Sequence, residues 1–235
     1  MHRFIAVLAV LVVSLARPIA AQDYPFQGFA SDVAVNTLHN ALLNASIQST
    51  EDEASAPEDA DVLVTSYEAS QEISAKAEGQ FLEFVRQTSG EAGATALANE
   101  FSKADPADIW AGLVAQDLQP GDAADAIAGY WILNWVIANA AHQLEFPTAP
   151  IVEQVRASLA GDAKFRDLHE AGRQELSEIL MMNFLVQYAV YDNAVAGGDT
   201  RMIEELGNAA VARFKSEAGI DLRSIEPTPV GFAER

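Results

Sequence analysis

Cysteine is absent from all 235 residues of the sequence. Its absence excludes a disulfide framework, a catalytic thiol and a lipid anchor on an N-terminal cysteine. A fold formed by this chain must therefore be held together by the burial of its apolar side chains, which make up 50% of the residues.

Basic residues are scarce as well. The chain has 14 lysines and arginines against 34 aspartates and glutamates, which gives a formal net charge of −20. Proteins that bind nucleic acid or anionic membranes use clustered lysine and arginine, so we exclude both as partners. A basic protein partner remains compatible with this charge, and so does the simpler interpretation that the charge only keeps the chain soluble.

The first 21 residues have the pattern of a secretory signal peptide. His2 and Arg3 begin it, an apolar run follows over residues 4–15, and small residues precede a cleavage site after Ala21. The apolar run is shorter than the roughly 20 residues that a membrane-spanning helix needs, so we predict no stable membrane insertion after cleavage. The sequence thus predicts export to the periplasm or to the exterior.

Residues 22–61 form a predicted N-terminal arm. Apolar residues at helical spacing predict one short amphipathic helix over residues 33–47. The stretch 49–61 combines six carboxylates with little apolar material, so we predict a flexible acidic linker. A calcium loop is the alternative interpretation, but the stretch lacks the ligand spacing of an EF-hand.

Residues 62–235 have the pattern of a single all-α domain. Apolar residues at helical spacing predict about six helices up to Glu217, including separate segments at 66–87 and 90–103. Segments 123–144 and 172–196 are apolar around most of their circumference, which predicts a helical bundle with two buried central helices. Asp105 and Asp122 are predicted N-caps, and the tail is predicted to pack over the bundle in an extended conformation.

Catalytic motifs are missing or incomplete. The run from His169 to Arg173 begins like a zinc-protease helix, but Arg173 stands where the second histidine should be. The sequence has no G-x-S-x-G elbow, no glycine-rich phosphate loop and no Glu-x-x-His pair of a di-metal bundle. We therefore predict no catalytic residue, no metal ligand and no cofactor, and enzymatic activity is the minority interpretation.

One set of aromatic and polar side chains on the two apolar segments points to a site. Its members are Tyr130, Trp131, Asn134, Trp135, Asn139, His142, Asn183 and Gln187. An enclosed polar group without a partner destabilises a fold by about 1–3 kcal/mol, so Asn134 is predicted to be buried and bonded to Gln187 or Asn183. Two interpretations stay open: a network that fixes the register of the central helices, or a small-ligand pocket between them.

Three stretches of the sequence carry a family resemblance. They are Asp125–Trp135, Gln174–Glu178, and the ending formed by Gly219–Leu222 with Thr228–Phe232. Together they resemble a family of exported bacterial helical proteins that is known only as a domain of unknown function. The resemblance spans residues 62–232 and implies a secreted helical domain, without an activity, a ligand or a catalytic residue.

These observations predict an exported, non-enzymatic binding or protein-interaction domain whose partner is a basic protein. Charge complementarity between an acidic and a basic protein speeds their association, which favours an inhibitor-like role. The alternative function is a small-ligand carrier or an enzyme that uses an aromatic and amide cleft between the two central helices.

Overall fold

The computed structural model of the protein describes residues 63–114 and 117–235. The predicted signal peptide and the predicted arm lie outside these residues. Within them the chain forms seven helices and one small two-stranded sheet, which confirms the predicted, mainly helical fold. A short helix and the sheet add to the roughly six helices that the sequence predicts.

The helices and strands follow one another in the order α1–α7, β1, β2. Their bounds are α1 Gln71–Phe101, α2 Pro106–Ala111, α3 Ala123–Asn139, α4 Ala149–Gly161, α5 Ala163–Arg166, α6 Glu170–Ala196, α7 Thr200–Ala218, β1 Ile225–Thr228 and β2 Gly231–Glu234. The two predicted N-caps are confirmed, because Asp105 accepts a hydrogen bond from the Ala107 amide and Asp122 accepts one from the Ala124 amide, each at 2.8 Å.

Helix α1 consists of two helical segments that meet at Gly90. This residue has φ 83° and ψ 171°, which interrupts the helix without ending it. Only glycine adopts such a conformation readily, because it has no Cβ. The two segments that the sequence predicts on either side of Gly90 are therefore present as one interrupted helix.

Helix α3 ends five residues before the predicted end at Leu144. Ala140 adopts a left-handed conformation with φ 49°, and its amide bonds to the carbonyl of Ile137. The Ala141 amide then bonds to the carbonyl of Val136 at 2.9 Å, which closes the last turn. His142 therefore lies in the turn after α3 and not on the helix.

The core surrounds α3. This helix packs against α6, α7 and α4, while α6 packs in addition against α1 and α2. The largest fully buried side chains include Trp110, Trp131, Phe81, Phe165 and Phe214. Among the described residues, none of the helices combines the length and the apolar character that crossing a lipid bilayer requires.

The C-terminal tail closes one side of the bundle, as the sequence predicts. Leu222, Ile225 and Phe232 are buried, and β1 pairs with β2 in an antiparallel hairpin. Gln154 of α4 holds this hairpin, because its side-chain amide donates to the carbonyl of Phe232 and accepts from the amide of Phe232, both at 2.8 Å. The hairpin thereby becomes part of the same packed unit as α4.

Candidate functional site

The centre of the predicted cluster is a hydrogen-bonded node between three helices. Asn134 is fully buried, and its Nδ2 donates to the carbonyl of Tyr130 one turn earlier at 2.8 Å. Its Oδ1 accepts from Nη2 of Arg213 on α7, and the same nitrogen donates to Oε1 of Gln187 on α6 at 2.9 Å. The sequence predicts that Asn134 bonds directly to Gln187 or Asn183. In the structure Asn134 and Gln187 are instead joined through Arg213.

The aromatic members next to this node fill the interior. Trp131 is fully buried, and the ring of Tyr130 stacks on that of Phe214 with 5.9 Å between the ring centroids. Asn183 is bonded within its own helix, where its Nδ2 donates to the carbonyl of Ile179 at 3.0 Å. The structure thus brings Asn134, Gln187 and Tyr130 together and keeps Asn183 out of the node.

Trp135 and Asn139 connect α3 to the tail. The indole N–H of Trp135 donates to the carbonyl of Ile225 at 3.0 Å, and its ring lies edge-on to that of Phe146. Nδ2 of Asn139 donates to the carbonyls of Trp135 and Leu222, at 2.9 and 3.1 Å. These two side chains face the tail, whereas Asn134 faces α7.

His142 contacts α6. Its Nδ1 lies 3.2 Å from the hydroxyl of Tyr191 on α6, within hydrogen-bonding distance. Burial raises the pKa of this tyrosine, so the hydroxyl remains protonated over the whole physiological range. The residues of the predicted cluster are therefore divided between the central node with its aromatic neighbours, the contact with the tail and the turn after α3, while Asn183 is bonded within α6.

A cavity of about 580 Å³ lies where the end of α3 meets α7 and the tail. Apolar residues that line it include Ile137, Ala138 and Ile203, while Glu204, Arg223 and Arg235 supply its charged groups. Of the predicted cluster, only Asn139 and His142 line this cavity. The cavity therefore differs from the cleft between central helices that the sequence suggests.

A second polar cluster lies at the start of α3. Asp125 is buried, and its carboxylate accepts from the Gln119 amide at 2.9 Å and from Arg156 of α4 at 3.0 Å. Burial raises the pKa of Asp125 to about 6, and the negative charge of Asp122 raises it further while the Gln119 amide and Arg156 oppose the shift. This cluster fastens α4 to the start of α3.

A third cluster, which we call the acidic junction, consists of Glu78, Asp105 and Glu178, where α1, α2 and α6 meet. Burial raises the pKa of Glu78 and of Glu178, and the negative charge of Asp105 raises both further. Ser74 and Gln174 each donate to Oε1 of Glu178 at 2.8 Å, which partly offsets the shift. Within the described ranges, no group of three or more histidine and acidic side chains is arranged to hold a metal ion.

Several residues of these clusters were not predicted from the sequence. Arg213 has a recognisable signal, because it stands beside Phe214 and one turn after Ala210 on the apolar stripe of α7. Arg223 and Arg235 have none, because they lie in the tail, where no helical periodicity assigns a side chain to a face. Their common position at the cavity depends on the tertiary packing of the tail.

Comparison with known proteins identifies one family. Residues 1–233 match a family described as Family of unknown function (DUF6683). Neither a curated protein nor a solved structure matches the chain significantly. Because the match covers almost the whole sequence, it confirms the predicted resemblance to an uncharacterised family. The chain belongs to the DUF6683 family.

Proposed function

We propose that the protein is an exported, non-enzymatic interaction domain that binds a basic protein partner through the acidic junction. Export is supported by the signal-peptide pattern of residues 1–21. Recognition of a basic partner is supported by the net charge of −20. The observation that carries the proposal is that no described lysine or arginine forms an ion pair with the carboxylates of Glu78, Asp105 and Glu178.

These carboxylates are not neutralised by the chain itself. The cations that form ion pairs with other carboxylates are Lys76, Arg86, Lys103, Arg156, Arg201, Lys215 and Arg235. In the described part of the chain, no lysine or arginine forms an ion pair with Glu78, Asp105 or Glu178. The carboxylates of the acidic junction are therefore left without a cationic partner among the described residues.

A cation from a partner would relieve the repulsion in the junction. Asp105 raises the proton affinity of Glu78 and of Glu178, which means that the charge of Asp105 destabilises the ionised form of each glutamate. A lysine or arginine side chain that approaches these carboxylates relieves their repulsion, which stabilises the complex. Long-range attraction to the acidic surface speeds the encounter. Such binding should weaken with increasing salt.

The test compares two variants of equal net charge. In the first, Glu78→Gln, Asp105→Asn and Glu178→Gln neutralise the junction. The new amide at residue 105 still has an oxygen that can cap α2, and the one at residue 178 still has an oxygen that can accept from Ser74 and Gln174. In the second, three exposed carboxylates elsewhere are neutralised by Glu145→Gln, Asp167→Asn and Glu234→Gln, which are two glutamates and one aspartate as in the junction. Each variant is titrated with fluorescent octalysine by anisotropy at low and at moderate salt.

We expect the junction variant to bind octalysine about fivefold or more weakly than the unmodified protein, because several charge contacts are lost together. The control variant should lose about twofold, which reflects only the change in total charge. Equal weakening in both variants would contradict the proposal, because it would mean that the peptide senses only the overall charge. Lack of binding by the unmodified protein at low salt would contradict it as well.

The cleft of the alternative function finds less support. Between α3, α6 and α7, the space near Asn134 is taken up by Arg213, Gln187 and the stacked ring of Tyr130. A small ligand between these helices would have to displace that node. The cavity at the end of α3 lies outside this region.

A further inference from the structure

We propose that the cavity at the end of α3 binds a small monocarboxylic acid with an aliphatic body. This site is separate from the acidic junction and does not depend on the proposed partner. The inference rests on the way Arg223 and Arg235 are held at the cavity, on its apolar lining residues and on the negative charge of Glu204.

The first observation concerns the arginines. Arg223 donates from Nε to the carbonyl of Ala138 at 2.9 Å and from Nη2 to Oδ1 of Asn208 at 3.0 Å. Both acceptors are neutral, so they orient the guanidinium without cancelling its charge. A guanidinium has five N–H donors, and these two bonds leave others to bind an anion.

Arg235 is held in a similar way. Its Nη2 donates to Oδ1 of Asn139 at 3.0 Å, and its Nε lies 4.0 Å from the carboxylate of Glu226, at the limit of an ion pair. Two guanidiniums that are hydrogen-bonded to neutral acceptors thus line one cavity. A pair of guanidiniums recognises a carboxylate by charge-assisted hydrogen bonds.

The other walls define the rest of the ligand. Ile137, Ala138 and Ile203 give the cavity apolar lining, which suits an aliphatic body rather than a sugar or a nucleotide. A volume of about 580 Å³ lies within the usual range for small-molecule sites. Glu204 at the same cavity repels a second negative charge, so a monoanion is favoured over a dicarboxylate.

Helix α7 lies close to the end of α3 at Gly207. A Cβ on Gly207 would lie 3.1 Å from the carbonyl oxygen of Ile137 and 3.2 Å from Nη2 of Arg223. The glycine therefore allows the backbone of α7 and the guanidinium to approach the end of α3 together. A side chain here would press on the carbonyl of Ile137 and on the guanidinium of Arg223, so these groups would have to shift.

The experiment uses the purified chain and three probes with the same six-carbon body: hexanoate, 1-hexanol and hexylamine. Binding is measured by calorimetric titration at low salt. We expect hexanoate to bind at least about tenfold more tightly than either comparator, since only its carboxylate forms charge-assisted hydrogen bonds with the guanidiniums. Equal affinity for hexanoate and hexanol, or no binding of hexanoate at millimolar concentration, would overturn the proposal.

Variants locate the site. Arg235→Gln should weaken hexanoate binding about tenfold, and Ile203→Trp should abolish it by filling the cavity without removing a charge. Arg201→Gln is the matched control, because it removes the same charge from an exposed position of α7 outside the cavity; it should change the affinity less than about twofold. Equal loss in Arg201→Gln and Arg235→Gln would overturn the assignment of the site.

Glu204→Gln gives a test by gain of affinity. Removing this carboxylate should tighten hexanoate binding about two- to fivefold, the size expected for an exposed charge. The same variant should admit adipate, the six-carbon dicarboxylate, which the unmodified protein should bind more weakly than hexanoate. Unchanged affinity for both acids would show that Glu204 does not face the ligand, and it would contradict the preference for a monoanion.

Discussion

Arg213 of α7 and Asn134 of α3 are joined by a hydrogen bond in the centre of the bundle, from the guanidinium Nη2 to the amide Oδ1. The same nitrogen donates to Oε1 of Gln187 on α6 at 2.9 Å. One arginine thereby ties three helices together through two neutral acceptors. In such a node the loss of one amide removes an acceptor from a partly buried cation, so the members depend on one another.

The first prediction concerns Asn134. We expect Asn134→Leu to lower the free energy of unfolding by about 1–3 kcal/mol, because leucine offers Arg213 no acceptor. Asn183→Leu is the matched control and should lower it by clearly less, since Asn183 bonds only to the carbonyl of Ile179 in its own helix. Urea denaturation of both variants measures the difference.

A double-mutant cycle with Arg213→Met separates the interaction from the individual changes. The loss in the double variant Asn134→Leu, Arg213→Met should be at least about 0.5 kcal/mol smaller than the two single losses added together. Strict additivity would show that the two side chains do not depend on each other. Unchanged stability of Asn134→Leu, together with loss of a bound ligand, would instead assign the amide to a ligand site.

The second prediction is the pH dependence that Asp125 produces. Burial raises its pKa from 3.8 to about 6, so the folded protein binds this proton more tightly than the unfolded chain does. The stabilisation that this bound proton gives the folded protein is therefore complete below about pH 4 and is lost as the pH rises through about 6. At 1.36 kcal/mol per unit, a shift of this size corresponds to about 3 kcal/mol.

Denaturation at pH 4.5 and pH 7.5 tests this assignment. As the pH rises from about 4.5 to about 7.5, the unmodified protein should lose stability relative to Asp125→Asn. Glu83→Gln should show the opposite sign, because hydrogen bonds from Gln87 and Arg86 lower the pKa of Glu83. If the two variants change with pH in the same direction, the assignment to Asp125 is wrong.

Much of the helical fold can be predicted from the sequence because its signals are local. The N-caps at Asp105 and Asp122 and the glycine cap at Gly219, with φ 71°, fix where helices begin and end. Helix α5 and the β1–β2 hairpin could not be predicted in this way. Each element is only four residues long, and the hairpin is held by Gln154, which is distant in the sequence.

The candidate site shows the same limit. Burial of Asn134 follows from its apolar neighbours on α3, and this part of the prediction is confirmed. Its partner does not follow, because arginine is usually an exposed residue, and only its place beside Phe214 distinguishes Arg213. The cavity formed with Arg223 and Arg235 depends on where the tail crosses the end of α3, which no local pattern encodes.

The third prediction concerns the contact between Gln154 and Phe232. Gln154→Leu removes both hydrogen bonds to the backbone of Phe232 and should lower the free energy of unfolding by about 1–3 kcal/mol. The amide of Phe232 should also exchange its hydrogen faster, because the hairpin loses its attachment to α4. Glu153→Gln, at the exposed neighbouring position, should change neither quantity. Full protection of the Phe232 amide in Gln154→Leu would contradict this role.

The fourth prediction compares two glycines in α1. Gly90 has φ 83°, whereas Gly79 lies in the regular helix, and a Cβ would meet no atom within 4 Å at either position. The space for a methyl group is therefore equal at the two positions, and only the backbone conformation differs.

Gly79→Ala should raise the free energy of unfolding by about 0.5–1 kcal/mol, since alanine favours the helix. Gly90→Ala should lower it by about 1–3 kcal/mol, since the side chain strains a conformation that belongs to glycine. Thermal and urea denaturation of both variants should give these opposite signs, and stabilisation by Gly90→Ala would mean that α1 continues through residue 90 without an interruption.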